Sequence, residues 1–564
     1  MPTFSDLLKG HFEQTPDKAS VIMLFSGQPD RQVTYREMIY GAAAYVKTFQ
    51  QNGIQSGDVV LLILQLGVDL LYAYFGAVLH GAIPSIMPFL TEKLLPERYR
   101  ADLAALMSVT QPVAIVTYRD FEPEVRAALK PGAASVRAVI VSDHVEVPCP
   151  PHFSSFGGLR RMPEDIALLQ HSSGTTGLQK GVALSHQAVI NQLNNYGKAI
   201  HLTDADVFVS WLPLYHDMGL IASWLMPILM GYPLVLMSPF DWIRAPFRLL
   251  QAISNYKGTL SWLPNFAFNF CAQKIRDRDL EGVDLSTWRL ISNCSEPMRW
   301  ESHQAFYERF RSLGLGYNAL STCYAMAENV FAVTQGGVDD PVVYEDIDRE
   351  TLQTRKVAQR SIPGQISMRM LGAGKTIQNT RLRIIDSQGH NQADRHVGEV
   401  ALQSDCMLTG YYHRPDVTEK AFVDGWYLTG DYGYLVDGEL YITGRKKDLI
   451  IVGGKNIYPH DLELLAYEVT GVHPGRASAF GVFNESTGTE DVVMVAEVES
   501  DDPKEQQKIA DAIRLTVASG SAVNLRYVHL VRHPWLVKTS SGKTARSANR
   551  EKFLKEIQAQ GQIF

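Results

Sequence analysis

A loop of glycine and hydroxyl side chains constrains this chain more than any other stretch of its sequence. Residues 171–181 read His-Ser-Ser-Gly-Thr-Thr-Gly-Leu-Gln-Lys-Gly, with apolar runs at 166–169 and 182–184 on either side. Apolar runs that flank a glycine-rich turn predict a strand, a tight loop and a second strand. Glycine lets a backbone approach an anion closely, and inward-facing N–H groups bind anions, so the loop is predicted to bind phosphate.

The candidate phosphate ligands of this loop are Ser172, Ser173, Gly174, Thr175, Thr176 and Lys180. The four hydroxyl groups are donors, and the lysine adds a positive charge. The dinucleotide fingerprint GxGxxG is absent, and the Walker spacing fails because Val537 stands where its first glycine would precede Gly542 and Lys543. A flexible surface linker is the alternative, although linkers rarely carry so many hydroxyls between two apolar strands.

At this loop the chain resembles the adenylate-forming superfamily, which includes acyl-CoA synthetases, luciferases, adenylation domains and fatty acyl-AMP ligases. Further motifs, described below, extend the resemblance over nearly the whole chain, and several of them are most similar to fatty acyl-AMP ligases. The family signature at this point is a loop of serine, threonine and glycine followed by Lys-Gly, as at Lys180 and Gly181.

Alternating helical and strand patterns predict an α/β fold with largely parallel sheets. The predicted helices of the first 160 residues are 4–14, 35–50 and 68–80, and the predicted strands are 58–65, 82–88, 113–117 and 138–141. A chain of 564 residues also exceeds one ordinary core, so at least two domains are expected. The resemblance implies an N-terminal domain, 1–445, of two αβ-layered subdomains plus a β-rich subdomain, and a small mobile α+β domain, 446–564.

The net charge bears on the expected partners of the protein, and the cysteine pattern bears on its cellular compartment. The net charge of −7 gives no overall basic field, so nucleic acid is not an expected partner. The five cysteines are scattered without a C-x-x-C pair, which favours reduced thiols and a cytoplasmic protein. No signal peptide is expected at the N-terminus, and the most apolar stretch, 59–89, is interrupted by Asp69 and His80, so it predicts buried elements and not a transmembrane segment.

A turn at 211–220, Trp-Leu-Pro-Leu-Tyr-His-Asp-Met-Gly-Leu, is the predicted substrate side of the site. A lone histidine after an apolar run is more often a packed residue than a catalyst. The resemblance favours His216 as a catalytic residue near the acyl carboxylate, because the family places an aromatic residue or histidine here. Phe240-Asp241 looks like the motif of amino-acid adenylation domains, but it falls later, and a cap for a helix at 242–256 explains it.

The resemblance also assigns the nucleotide site. It implies adenine contacts from Ser295, Glu296, Pro297 and Tyr324, a nucleotide-binding position at Ala327 where the usual hydroxyl contact to phosphate is lost, a catalytic Glu328 that binds Mg²⁺, ribose on Asp431, nucleotide contact from Arg445 and catalysis by Lys543. The residue types suit these roles, since a flat phenol ring stacks on a base, a carboxylate binds a hard cation and an ammonium neutralises phosphate. Two positions depart from the family: Cys294 replaces a glycine or alanine, and Ala327 replaces a threonine. The alternatives without function are that Asp431 is an ordinary turn residue and that Lys543 is an ordinary surface lysine.

Two stretches bear on the substrate and on the second reaction step. Phe266, Phe268 and Phe270 either line an acyl channel or pack in the core. The polar segment 336–365 resembles the insertion of fatty acyl-AMP ligases, which is thought to restrain the C-terminal domain and disfavour CoA, while a surface hairpin is the alternative.

The predicted function is ATP- and Mg²⁺-dependent activation of a fatty acid to acyl-AMP with release of pyrophosphate. The acyl group would then pass to the phosphopantetheine of a separate acyl carrier protein. An acyl-CoA synthetase is the first alternative, a catalytically silent nucleotide-binding or scaffold protein the second, and an amino-acid adenylation enzyme the least favoured enzyme.

Overall fold

A computed structural model describes residues 1–89, 96–129, 135–145, 150–172, 180–365, 367–452, 455–484, 487, 489–521, 523–539 and 542–559. The α-helices of this part are α1 Phe4–Gln14, α2 Tyr35–Gln51, α3 Val68–His80, α4 Pro96–Thr110, α5 Glu122–Ala128, α6 His186–Ala199, α7 Met226–Met230, α8 Pro239–Arg244, α9 Phe247–Tyr256, α10 Asn265–Lys274, α11 Trp300–Phe310, α12 Arg349–Arg355, α13 Pro415–Ala421, α14 Pro459–Tyr467, α15 Pro503–Ser521 and α16 Arg546–Ala559.

The strands of the first half are β1 Ala19–Leu24, β2 Arg31–Thr34, β3 Val59–Ile63, β4 Ile83–Ile86, β5 Ala114–Thr117, β6 Ala138–Val141, β7 Ile166–Ser172, β8 Lys180–Ser185, β9 Phe208–Ser210, β10 Leu234–Met237, β11 Leu260–Leu263 and β12 Leu290–Asn293. Those of the second half are β13 Leu320–Ala325, β14 Ala332–Gly336, β15 Tyr344–Asp348, β16 Ser367–Leu371, β17 Lys375–Thr376, β18 Thr380–Ile385, β19 Gly398–Ser404, β20 Gly410–Tyr411, β21 Phe422–Val423, β22 Trp426–Val436, β23 Glu439–Arg445, β24 Ile450–Val452, β25 Lys455–Ile457, β26 Val472–Asn484, β27 Thr489–Val498 and β28 Tyr527–Val531.

Two mainly parallel sheets form the centre of the large N-terminal part. One has nine strands in the order β17-β14-β13-β12-β11-β9-β10-β1-β2, and its six inner strands, from β13 to β1, run parallel. The other, β4-β3-β5-β6, is parallel throughout. All five residues of β3 are buried, as expected for a strand covered on both faces by helices.

A β-rich layer and a small C-terminal part complete the chain. Antiparallel strands β18, β19, β22, β21 and β23 form the β-rich layer. Beyond it, β26, β27 and β28 form a separate sheet that is covered by α14 and α15, and residues from Ile450 to Leu525 bury a core of their own. The α/β class with a large N-terminal and a small C-terminal domain is therefore confirmed.

The segment 336–365 is folded and packs against both the β-rich layer and the C-terminal part. It contributes β15 and α12, and β15 pairs antiparallel with β16. Its Ile347 and Leu352 share one buried cluster with Tyr434 and Tyr441 of the β-rich layer and with Tyr458 of the C-terminal part. The segment is therefore a wedge between two parts of the molecule and not a surface hairpin.

Most predicted elements are present, but one predicted helix was wrong. The pattern at 242–256 predicted a single helix capped by Asp241, whereas the structure has α8 and α9, and Ser238 caps α8 with a hydrogen bond from the Phe240 N–H. The break falls at Pro246, which has no N–H to donate within a continuous helix. Among the described helices, none combines the length and apolar character needed to cross a bilayer.

Candidate active site

Neighbouring parallel strands deliver several of the predicted residues to one sheet edge. β12 ends at Asn293 just before Ser295 and Glu296, and β13 carries Tyr324 near its own carboxyl end. Asn293 is in register with Thr322, so the two motifs emerge side by side. Ligands of open α/β sheets characteristically bind at this edge.

The phosphate loop connects two antiparallel strands, as the sequence predicted. β7 and β8 pair down to Ser172 and Lys180 at the mouth of the loop. Ser173, Gly174, Thr175 and Thr176 lie outside the described residues, as does the side chain of Ser172. The Lys180 ammonium lies 4.8 Å from the centre of the Tyr411 ring, a cation–π contact that holds the charge at the loop mouth.

The proposed ribose aspartate lies between a tyrosine and an arginine. Tyr324 donates its hydroxyl to Asp431 Oδ2 over 2.7 Å, and Arg445 Nε lies 3.2 Å from Oδ1. Strands β22 and β23 fix this arrangement, because Asp431 is the register partner of Arg445. Burial raises the pKa of Tyr324 far above its usual range, and the Asp431 charge adds to that shift, so the phenol stays protonated and remains a donor.

Glu328 is held on a strained turn. Val330 has φ +61° and ψ −54°, and Phe331 N–H donates to the Asn329 carbonyl, which makes a γ-turn at a β-branched residue. Strained backbone of this kind clusters at functional sites. Sequence patterns gave no sign of this turn.

The Glu328 carboxylate is suited to a cation. Its Oε1 accepts a 2.9 Å hydrogen bond from the Tyr411 hydroxyl, which also lies 3.0 Å from the Tyr427 hydroxyl. Burial raises the pKa of Glu328 and Asp217 adds to the rise, while Tyr411 and the Arg445 charge act in the opposite direction. Within the described part of the chain no lysine or arginine forms an ion pair with it. A half-buried carboxylate without an ion-pair partner fits the oxygen ligand that Mg²⁺ requires. Tyr411, which touches both Lys180 and Glu328, belongs to no motif that the sequence analysis recognised.

His216 and Asp217 form a buried pair at the start of an unusual helix. His216 Nδ1 lies 2.6 Å from Asp217 Oδ1, which also accepts the Met218 N–H over 2.8 Å. A π-helical segment, Met218–Leu225, follows directly, and a Cβ on Gly219 would lie 2.2 Å from the Pro213 carbonyl oxygen. Burial opposes ionisation of Asp217, but His216 and Lys543 outweigh it and lower its pKa. The predicted turn is therefore present, and close packing requires its glycine.

Lys543 reaches this site from the C-terminal part. Burial lowers its pKa, Arg445 lowers it further, and the charges of Asp217 and Glu296 act in the opposite direction. Glu296 Oε2 accepts the Phe266 N–H over 2.9 Å, and burial raises the pKa of this carboxyl group. A lysine more than two hundred positions along the chain is thus under the electrostatic influence of both the His216 turn and the predicted adenine loop.

The adenine-loop residues have defined conformations. Ser295 has φ +72° and its hydroxyl faces the sulfur atoms of Met218 and Cys294. Pro297, which follows the half-buried Glu296, is exposed, whereas Ala327 is buried beside Glu328. Cys294 itself is buried, so the departure from the family's small residue is accommodated beneath the loop.

The three phenylalanines separate into two environments. Phe268 is fully buried against His303 and Phe306, which is core packing. Phe266 and Phe270 instead pack on Trp242, whose ring stacks on Trp211 with centroids 3.5 Å apart. Because Trp211 opens the His216 turn, this aromatic cluster lies close to the proposed substrate side.

Comparisons with known proteins identify the family of the chain. The family model described as AMP-binding enzyme matches residues 8–412. The chain is 29% identical to the medium-chain-fatty-acid acyl-carrier-protein ligase JamA of Moorena producens, over 98% of this chain and 95% of that protein. It is 30% identical to the long-chain-fatty-acid–AMP ligase FadD32 of Mycobacterium marinum, over 89% and 86%.

Solved structures agree as well. A structure from a study of fatty acyl-adenylate ligases of E. coli and L. pneumophila superposes with a TM-score of 0.88, at 28% identity, covering 99% of this chain and 98% of the other. The L. pneumophila fatty acyl-adenylate ligase in complex with acyl adenylate and pyrophosphate gives a TM-score of 0.74 at 29% identity, over 98% and 96%.

Proposed function

Because the chain belongs to the AMP-binding enzyme family, we propose that it is a fatty acyl-AMP ligase that activates a fatty acid with ATP. The products of the first step are acyl-AMP and pyrophosphate. One observation carries the proposal: the charges of Asp217 and Glu296 act on the Lys543 ammonium, at the sheet edge where Tyr324 donates to Asp431. In this proposal the adenosine binds at that edge, and Lys543 lies beside the reacting groups.

The first step needs alignment and charge neutralisation more than covalent help from the protein. A carboxylate oxygen of the acid attacks the α-phosphorus, the bond to the bridging oxygen breaks, and pyrophosphate leaves with that electron pair. Lys543 neutralises charge on the carboxylate and α-phosphate, while Lys180 and the hydroxyls of residues 172–176 bind the departing phosphates. His216, held by Asp217, orients the acid.

The other nucleotide contacts follow the same assignment. Asp431 accepts the ribose hydroxyls, Arg445 supports it, and Tyr324 with residues 295–297 holds the adenine. Glu328 would hold Mg²⁺, which when bound supplies charge neutralisation on the phosphates. We assign residues 1–445 to the domain that binds both substrates and 446–564 to the domain that presents Lys543.

The second step in this proposal transfers the acyl group to the phosphopantetheine thiol of a separate acyl carrier protein in the cytoplasm. The relatives that carry the name of acyl-carrier-protein ligase support this acceptor. The wedge 336–365 supports it too, because Leu352 packs in the cluster that contains Tyr458 and so restrains the C-terminal part.

The test is pyrophosphate release by the full chain with ATP, Mg²⁺ and acids of graded chain length, beside a panel of amino acids. We expect release that depends on a fatty acid and on Mg²⁺, with a matching amount of acyl-AMP. Release with amino acids alone, or none with any acid, would contradict the proposal.

A further inference from the structure

A buried ion pair joins the adenine side of the site to the C-terminal part. Arg299 Nη2 donates to Asp461 Oδ1 over 3.0 Å, and the two side chains are only 19% and 11% exposed. Arg299 directly follows the turn at 295–298, and Asp461 lies in the first turn of α14. The contact therefore connects the loop assigned to adenine with the first helix of the C-terminal part.

Three basic side chains, each from a different element, lie near Asp461. His460 Nε2 lies 3.2 Å from the same Oδ1, and Arg349 at the start of α12 adds a further positive charge. The Arg349 Nε is buried without a hydrogen-bond partner in the described part of the chain. Burial opposes ionisation of Asp461, but His460 and Arg299 outweigh it and lower its pKa. Burial in turn lowers the pKa of His460. The carboxylate is thus a charged centre on which both parts and the wedge converge.

Helix α14 carries this contact onward to the lysine loop. Glu463 accepts two hydrogen bonds from Arg546, from Nε over 2.8 Å and from Nη2 over 2.6 Å. Arg546 Nη1 donates to Asp448 over 3.0 Å, and this arginine stands three positions after Lys543. A displacement of α14 would therefore move the loop that presents Lys543.

The pair is specific to one orientation of the two parts. In another orientation Arg299 and Asp461 would separate, and each charge would have to find water or a new partner. Removing Asp461 leaves the Arg299 charge buried without this ion pair, and removing Arg299 leaves Asp461 with only His460 and Arg349 beside it. Either loss disfavours the present orientation.

We propose that Arg299 and Asp461 are positioning residues whose ion pair docks the C-terminal part in the orientation that forms acyl-AMP. Neither side chain touches substrate in this account, and both act through the placement of Lys543. The inference rests on the proposed function and adds to it the contact that defines the orientation of the first step.

The test compares two half-reactions in full-length Arg299→Ala and Asp461→Asn proteins. Acyl-AMP formation is followed at saturating ATP with the fatty acid that the wild type uses fastest, and acyl transfer is followed from supplied acyl-AMP to free phosphopantetheine. We expect acyl-AMP formation to slow about 100-fold, the loss typical of a small misplacement of a catalytic group, with little change in KM for ATP. Transfer should stay at the wild-type rate or rise.

A double variant and two controls make the test specific. Because both substitutions break one contact, Arg299→Ala with Asp461→Asn should be no slower than the slower single variant. Arg299→Lys should recover part of the rate, and Arg414→Ala, which breaks the exposed pair with Asp416, should change nothing. Thermal melting checks that each variant is folded.

Equal losses in both half-reactions, additive losses in the double variant, or normal acyl-AMP formation would overturn the inference. A wild type that forms no acyl-AMP would instead overturn the proposed function. The two failures are therefore distinguishable in one set of assays.

Discussion

The charged groups that act on Lys543 come from distant parts of the sequence. Asp217 and Glu296 lie far from it in sequence, yet their charges act on its ammonium, and burial together with Arg445 lowers its pKa. A group so placed can neutralise charge that develops on the substrate at little cost in reorganisation.

Lys543→Ala should lower the rate of acyl-AMP formation by about 100–1,000-fold, as loss of a preorganised donor typically does. ATP binding should remain measurable by calorimetry, because Asp431, Tyr324 and Arg445 are unchanged. The exposed Lys555→Ala, in the same part of the chain, serves as the control. Wild-type acyl-AMP formation by the Lys543 variant would remove this residue from the mechanism.

An ionised Glu328 should bind Mg²⁺ but lower the stability of the folded state, because the carboxylate is buried. Its pKa is raised by burial, so its contribution favours folding below the usual carboxyl pKa and is lost as pH rises through the higher folded value. Glu328→Gln keeps an acceptor for Tyr411 and removes the charge.

We therefore expect the Glu328→Gln melting temperature at neutral pH to equal or exceed that of the wild type. Acyl-AMP formation should fall, and the Mg²⁺ concentration for half-maximal rate should rise. A variant that melts lower while keeping the wild-type Mg²⁺ dependence would show that Glu328 is structural.

At the scale of elements, local rules predicted much of the fold. The predicted bounds of α1 and α3 match the structure, because Thr3 and Asp6 cap the first and Gly81, at φ +89°, ends the second. The strands beside the phosphate loop were equally clear from their apolar runs. The stretch 242–256 was predicted as one helix, but Pro246 divides it into two.

The part of the site that could not be predicted depends on contacts between distant elements. The strained turn at Val330 and the Tyr411 contacts to Lys180 and Glu328 have no local sequence signal. The motifs proposed which residues carry chemistry, and those assignments stay predictions, whereas the partner of each residue is set by tertiary packing.

The packing of the wedge predicts an effect of Leu352 on the choice of acyl acceptor. Leu352 of α12 is 1% exposed within the cluster that includes Tyr458, so Leu352→Ala should weaken that packing by about 2–5 kcal/mol. A less restrained C-terminal part should yield acyl-CoA when CoA is added, measured by mass spectrometry.

Val343→Ala is the matched control, since Val343 lies in the same segment and is 52% exposed. It should leave the ratio of acyl-AMP to acyl-CoA as in the wild type. If Leu352→Ala likewise left that ratio unchanged, the wedge would have no part in acceptor choice.

At the scale of the whole molecule, the C-terminal part contacts the rest of the chain through an apolar cluster and an ion pair. The C-terminal part buries its own core from Ile450 to Leu525, and it meets the rest through the Tyr458 cluster and the Arg299–Asp461 pair. The orientation of the two parts therefore decides which residues lie near Lys543, and in this structure the charges of Asp217 and Glu296 act on it.

The most direct measurement of the central claim is product identity. The full chain is incubated with ATP, Mg²⁺ and fatty acids of graded length, with and without CoA, and the products are followed by mass spectrometry. The account predicts acyl-AMP that persists when CoA is present, with one pyrophosphate for each acyl-AMP. Efficient conversion to acyl-CoA would contradict it and make the chain an acyl-CoA synthetase.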